Sequence, residues 1–173
     1  MIKIHKNEDG FTLLEIIAVL VIVGILVAVA VSRATNVGPE LYTGADTLKM
    51  HLRYAQTLAM NSNPNSGTST IYGISGNANS YWLFWGTDST IVANYVLLPE
   101  DEKYINANKT INLPAKKISL SGNFTVFFDD HGIPYNPDSA TQLPNNLTFT
   151  VNPVSGGATP ITITIIPLTG YVQ

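Results

Sequence analysis

The 173-residue chain has no cysteine, so disulfides, thiolate nucleophiles and cysteine-ligated zinc are all excluded. Charge is also scarce, at 12% of residues, with a net charge of −3 and a pI near 5.5. That balance provides no general attraction to nucleic acid or anionic lipid. Histidine occurs at three scattered positions, His5, His51 and His131, for which solvated or capping roles are the expectation. A G-x-S-x-G elbow, a glycine-rich phosphate loop and an H-E-x-x-H helix are all absent. Asp129-Asp130 before His131-Gly132 offers oxygen ligands of the kind calcium takes, but without further spaced carboxylates a turn is the better reading. Glu100-Asp101-Glu102 reads as a solvated loop. No catalytic residue, metal or cofactor is expected, and the chain reads as non-enzymatic.

Against this background one stretch dominates. Residues 11–31, FTLLEIIAVLVIVGILVAVAV, carry a single charge, Glu15. As a helix the run spans roughly 30 Å, the thickness of a bilayer's hydrocarbon core. Lys3 and Lys6 precede it and Arg33 follows. The two leading lysines favour a cytoplasmic N-terminus, with everything after Val31 on the far side. A carboxylate at membrane depth costs at least ~2.5 kcal/mol, so such a group is neutralised, paired or functional. Cutting Gly10–Phe11 would create an α-ammonium four residues before Glu15, on the same helix face. Gly24 and Ala28 form a small-x-x-x-small pair that allows close helix approach.

The stretch G-F-T-L-L-E followed by an apolar helix closely resembles type IV prepilins and the pseudopilins of type II secretion. The resemblance implies that a dedicated prepilin peptidase cuts after Gly10 and methylates Phe11. It also implies that Glu15 pairs with the N-terminus of an adjacent subunit during assembly. The implied partners are that peptidase and methylase, other pilins or pseudopilins, and the bacterial inner membrane. The protein would be single-pass there, with a periplasmic or extracytoplasmic C-terminal domain, before entering a pilus or pseudopilus. Two other readings compete. Ala28-Val29-Ala30 is a signal-peptidase pattern, but the apolar run exceeds the ~7–15 residues usual for a secretory signal. A plain uncleaved anchor would leave Glu15 incidental.

The expected organisation is a leader at 1–10, a membrane and assembly helix at 11–31, a second helix segment at 32–62 and a β-rich domain at 63–173. About 140 residues follow the span, enough for one domain with a real core. Gly38-Pro39 is expected to interrupt the helix. Leu41, Ala45, Leu48, Leu52, Ala55 and Ala59 then make one apolar stripe, with Asp46, Lys49 and Arg53 facing water. The NSNPNSGT stretch at 61–68 ends that helix. Period-two patterning marks strands at 70–75, 81–86, 91–98, 118–120, 124–128, 147–151 and 161–165. Trp82, Trp85, Tyr81 and Phe84 read as core and sheet-face aromatics. The fold class is α+β, a long helix packed on antiparallel sheet.

The YGI, YWLF, VFFDDHG and ITITIIPLTG segments are similar to the minor pseudopilin H domain, which DNA-uptake minor pilins share. The DNA-binding relatives carry arginines just after the last glycine. Here the chain reads Gly170-Tyr171-Val172-Gln173, so counterion-release affinity is lost and no nucleic acid is expected as a partner. The sequons at Asn108, Asn123 and Asn146 matter only in a eukaryotic secretory host. A membrane-anchored β-rich binding module that assembles with nothing is the reading from a different class. Mass spectrometry of the mature N-terminus separates the three processing schemes: Phe11 first for the prepilin, Val31 for the secretory signal, Met1 for the anchor. Phe11 carrying one methyl group is the expected result.

Overall fold

The computed structural model describes residues 12–34, 38–62, 71–136, 141–155 and 157–173. The chain divides into two units, Met1–Asn36 and Val37–Gln173. The first contributes one described element, helix α1 (Leu13–Ala34, 22 residues). Large apolar side chains point outward all round it, so it has no polar face. Leu13–Val31 has a mean hydropathy of 3.1 and is long and apolar enough to cross a membrane.

The second unit holds helix α2 (Gly38–Asn61) and nine strands among the described residues: β1 Tyr72–Gly76, β2 Ser80–Trp85, β3 Tyr95–Val96, β4 Ile111–Asn112, β5 Ile118–Leu120, β6 Phe124–Phe128, β7 Pro134–Tyr135, β8 Leu147–Pro153 and β9 Ile161–Ile165. The antiparallel order β3-β2-β1-β6-β7, with β4 also on β2, forms the larger sheet, and β5-β8-β9 forms the smaller one. This is the α+β, pilin-like arrangement expected above. Pro39 begins α2 instead of interrupting a helix, because a first-turn N–H has no intrahelical partner to lose. Residues 35–37, between the two helices, lie outside those described, as do 63–68 of the polar turn expected at 61–68.

All six stripe residues of α2 are fully or almost fully buried. They join Ile74, Tyr81, Leu83, Val126 and Phe128 of the larger sheet and Phe149, Val151, Ile163 and Ile165 of the smaller one in a single core. Burying each such large side chain contributes about 1.5–3 kcal/mol. Phe124 and Phe149 stack across the two sheets, 4.1 Å between ring centroids. Leu120 N–H on β5 donates to the Ala78 carbonyl, which ties the smaller sheet to the β1–β2 turn, and Leu113 N–H, just after β4, donates to the Asn79 carbonyl of the same turn. On β8 and β9 the apolar face alternates with two cross-strand threonine pairs, Thr148 with Thr164 and Thr150 with Thr162.

The strand expected at 91–98 is mostly not one. Val92–Asn94 is a 3-10 turn and only Tyr95–Val96 pairs with β2. The cause is local: the Ser89 carbonyl accepts from Trp82 Nε1 (2.8 Å) and from the Tyr95 hydroxyl (3.2 Å), folding the 86–94 loop over the sheet. Beneath it Phe84 and Phe127 meet edge to face. Tyr81 and Phe84 are buried as expected, whereas Trp85 is exposed.

Polar side chains of α2 tie down the far end of the chain. Gln56 Nε2 donates to the Gly132 carbonyl (2.8 Å) and the Thr169 carbonyl (3.1 Å). Arg53, expected merely to face water, donates to the Val172 carbonyl (2.9 Å). Gly170, at φ +63°, lets the tail turn so closely here that a Cβ would come within 2.5 Å of the Gly132 carbonyl. Gly73 is equally constrained on β1, since a Cβ would lie 2.7 Å from both Phe84 Cζ and the Val126 carbonyl. Gly73→Ala is therefore expected to destabilise the unit by about 2 kcal/mol in chemical denaturation. Asp46→Asn, on the exposed side of α2, should leave the unfolding midpoint where it is.

Candidate processing and assembly site

Glu15 lies in the first turn of α1. The helix starts there because Thr12 closes it. The Thr12 carbonyl accepts from the N–H of Glu15 (3.0 Å) and of Ile16 (3.2 Å), and its Oγ1 also accepts from Glu15 N–H (3.3 Å). T-L-L-E has the spacing of a capping box, with Thr12 at the N-cap and Glu15 at the third helical position. Glu15 is expected above only as an ion-pair partner; its three-residue offset from Thr12 is the sequence signal for this N-terminal cap. A carboxylate in a first turn is also favoured by the positive end of the helix dipole.

Among the described residues, no basic group stands within ion-pair distance of Glu15. Its own face of α1 is apolar, a shallow recess shared with Ile16, Val19 and Leu20. Gly10 and Phe11 lie outside the described residues. Gly24 is on α1 with open space around its Cα, and Ala28 is exposed one turn later. Chemically, α1 provides a long apolar surface with one acid near its start and one notch of small residues midway.

The remaining chemistry-bearing residues fall elsewhere. His51 is fully buried on α2, contrary to the expectation of a solvated or capping histidine. His5 lies outside the described residues. His131 is exposed, its Nδ1 2.7 Å from Asp130 Oδ1, while Asp129 Oδ1 accepts from the N–H groups of His131 (3.0 Å) and Ile133 (2.7 Å). Asp129, Asp130 and His131 do bring three ligand atoms within 4.8 Å of one another. The hydrogen bonds of Asp129 are those of a turn. Glu100 is not a solvated loop residue: its side chain is 10% exposed and ion-paired with Lys116, itself 8% exposed.

A family profile for the prokaryotic N-terminal methylation motif matches residues 5–31. No curated protein and no solved structure matches the chain. The motif is prepilin-type, and it spans the expected cleavage junction, Glu15 and the apolar run. It supports a type IV pilin-like or pseudopilin-like protein that prepilin peptidase processes. Together with α1 it is consistent with a single-pass inner-membrane anchor.

Thr12→Val should unfasten the first turn of α1 without shortening the span. Amide exchange at Glu15 and Ile16, read by NMR in micelles, is expected to rise about fivefold, the change that losing ~1 kcal/mol of N-cap stabilisation produces. The middle of α1 should be unaffected.

Proposed function

We propose that the chain is a structural, non-enzymatic minor pseudopilin or minor pilin subunit. It waits in the inner membrane as a single-pass precursor with its globular unit on the extracytoplasmic side. Prepilin peptidase removes the leader after Gly10, Phe11 is N-methylated, and α1 enters a filament of a type II secretion system or a type IV pilus. The observation that carries this reading is the match of residues 5–31 to the methylation motif, with Glu15 placed in the first helical turn of an otherwise uncharged span.

The physical course is continuous. Apolar helices leave lipid for a helical bundle at almost no hydrophobic cost, because lipid tails are as apolar as their side chains. A carboxylate making the same move needs a counter-ion to replace lost solvation. The new α-ammonium of Phe11 on a neighbouring subunit supplies it and sets the register between subunits. Gly24 and Ala28 are the proposed points of close helix packing.

Glu15→Ala should leave membrane insertion intact and lower incorporation into the filament, as read by co-purification with the other pilins or pseudopilins. Equal incorporation of variant and parent would remove the ion-pair role. A mature chain that starts at Met1 would remove the filament reading altogether.

A further inference from the structure

The fully buried His51 projects from α2 into a polar chain that the assembly role does not use. Its Nδ1 is 2.8 Å from the Tyr81 hydroxyl on β2, and its Nε2 is 3.3 Å from the Pro99 carbonyl. A carbonyl can only accept, so Nε2 carries the proton and Nδ1 accepts from Tyr81. Pro99 leads into Glu100, whose carboxylate is ion-paired with Lys116, and Lys116 Nζ lies 4.2 Å from the centre of the Tyr104 ring. Glu100, Asp101, Tyr104 and Lys116 form one wall of a cleft of about 330 Å³. The other wall is the start of α2, from Pro39 to Thr47.

We propose that His51 is an acid-sensitive latch: while neutral it pins the segment from Leu98 to Tyr104, and with it one wall of this cleft, to α2, and a second ring proton releases that segment. In the imidazolium form Nδ1 becomes a donor, so the Tyr81 hydroxyl must turn to accept. Its own proton then has no partner, in a place where Tyr81 is almost completely buried. The imidazolium would also be a buried charge. Tyr81 on β2, the Pro99 carbonyl and Glu100 on the covering segment, and Lys116 beyond it are the polar and charged groups that face it. The hydrogen bond to the Pro99 carbonyl and the Glu100 carboxylate favour the extra proton, and Lys116 opposes it.

Burial is the larger influence and holds the His51 pKa below its ordinary value of 6.5. The sign follows. The unfolded chain takes up the proton first as pH falls, so the closed form is at full stability above the unfolded pKa and loses it below. Relief comes by admitting water, and the covering segment is the cheaper side to move. It carries one 3-10 turn, Glu102–Tyr104, and is anchored by the two-residue β3, whereas Tyr81 sits mid-sheet between β1 and β4.

The test uses the full chain in detergent micelles. Hydrogen exchange of the segment from Leu98 to Tyr104, corrected for intrinsic rates, should speed up at least tenfold between about pH 7.5 and about pH 5, while β1 and β6 stay protected. The midpoint should coincide with the ring titration of His51 followed by NMR. His51→Gln, which can still donate to Pro99 and accept from Tyr81 but cannot titrate, should abolish the response. Unchanged protection at acid pH, a response that persists in His51→Gln, or opening at a pH where the His51 ring has not titrated would each overturn the latch. If His51→Gln does not fold, the comparison of the two midpoints in the parent protein decides.

Discussion

The globular unit depends on one burial event: the apolar stripe of α2 covered by two sheets at once. The larger sheet supplies Ile74, Leu83 and Val126, and the smaller one supplies Val151, Ile163 and Ile165. In a folded protein a helix draws most of its stability from packing its amphipathic face, and a sheet from burying its apolar one. Each becomes stable because the other removes its apolar face from solvent. The polar side of α2 then fixes what the stripe gathers. Gln56 holds the β6–β7 turn and the loop after β9, and Arg53 holds the tail. The helix thus serves as a spine to which segments more than seventy residues away are hydrogen-bonded.

The two helices show opposite solutions to the same requirement. α2 is amphipathic and finds its cover within the chain. α1 has no polar face, so nothing in its pattern directs one side to a partner domain. A surface of that length and composition suits lipid or other apolar helices. The acid at its start is what makes the surroundings matter, because an uncharged helix would be equally content in either.

Much of this was legible in the residues. The four-three spacing from Leu41 to Ala59 marked the buried stripe, and alternation marked β6, β8 and β9. The strand expected at 91–98 was read from period-two patterning, but that pattern does not reveal that the Ser89 carbonyl would accept from Trp82 and Tyr95 and curl the chain. The two-residue strands β4 and β7 are too short to show a period. His51 sits one position before Leu52 on the stripe. Its burial depends on Tyr81 and Pro99, thirty and forty-eight residues away, which no local pattern reports. Glu100 is hidden from sequence for the same reason. Three acids in a row suggest a solvated loop, and Lys116, which draws one of them inward, lies sixteen residues further on. The capping role of Thr12 was readable from its offset to Glu15.

The paired threonines of β8 and β9 have a consequence of their own. Opposed to each other across the strands, they give the smaller sheet an outer face of hydroxyls and methyl groups with no ionisable atom. Hydroxyl pairs contribute a few tenths of a kcal/mol to about 1 kcal/mol each, and Debye screening does not act on them. Dilution into fresh water or transfer to brine would thus leave the solvation of that face nearly constant.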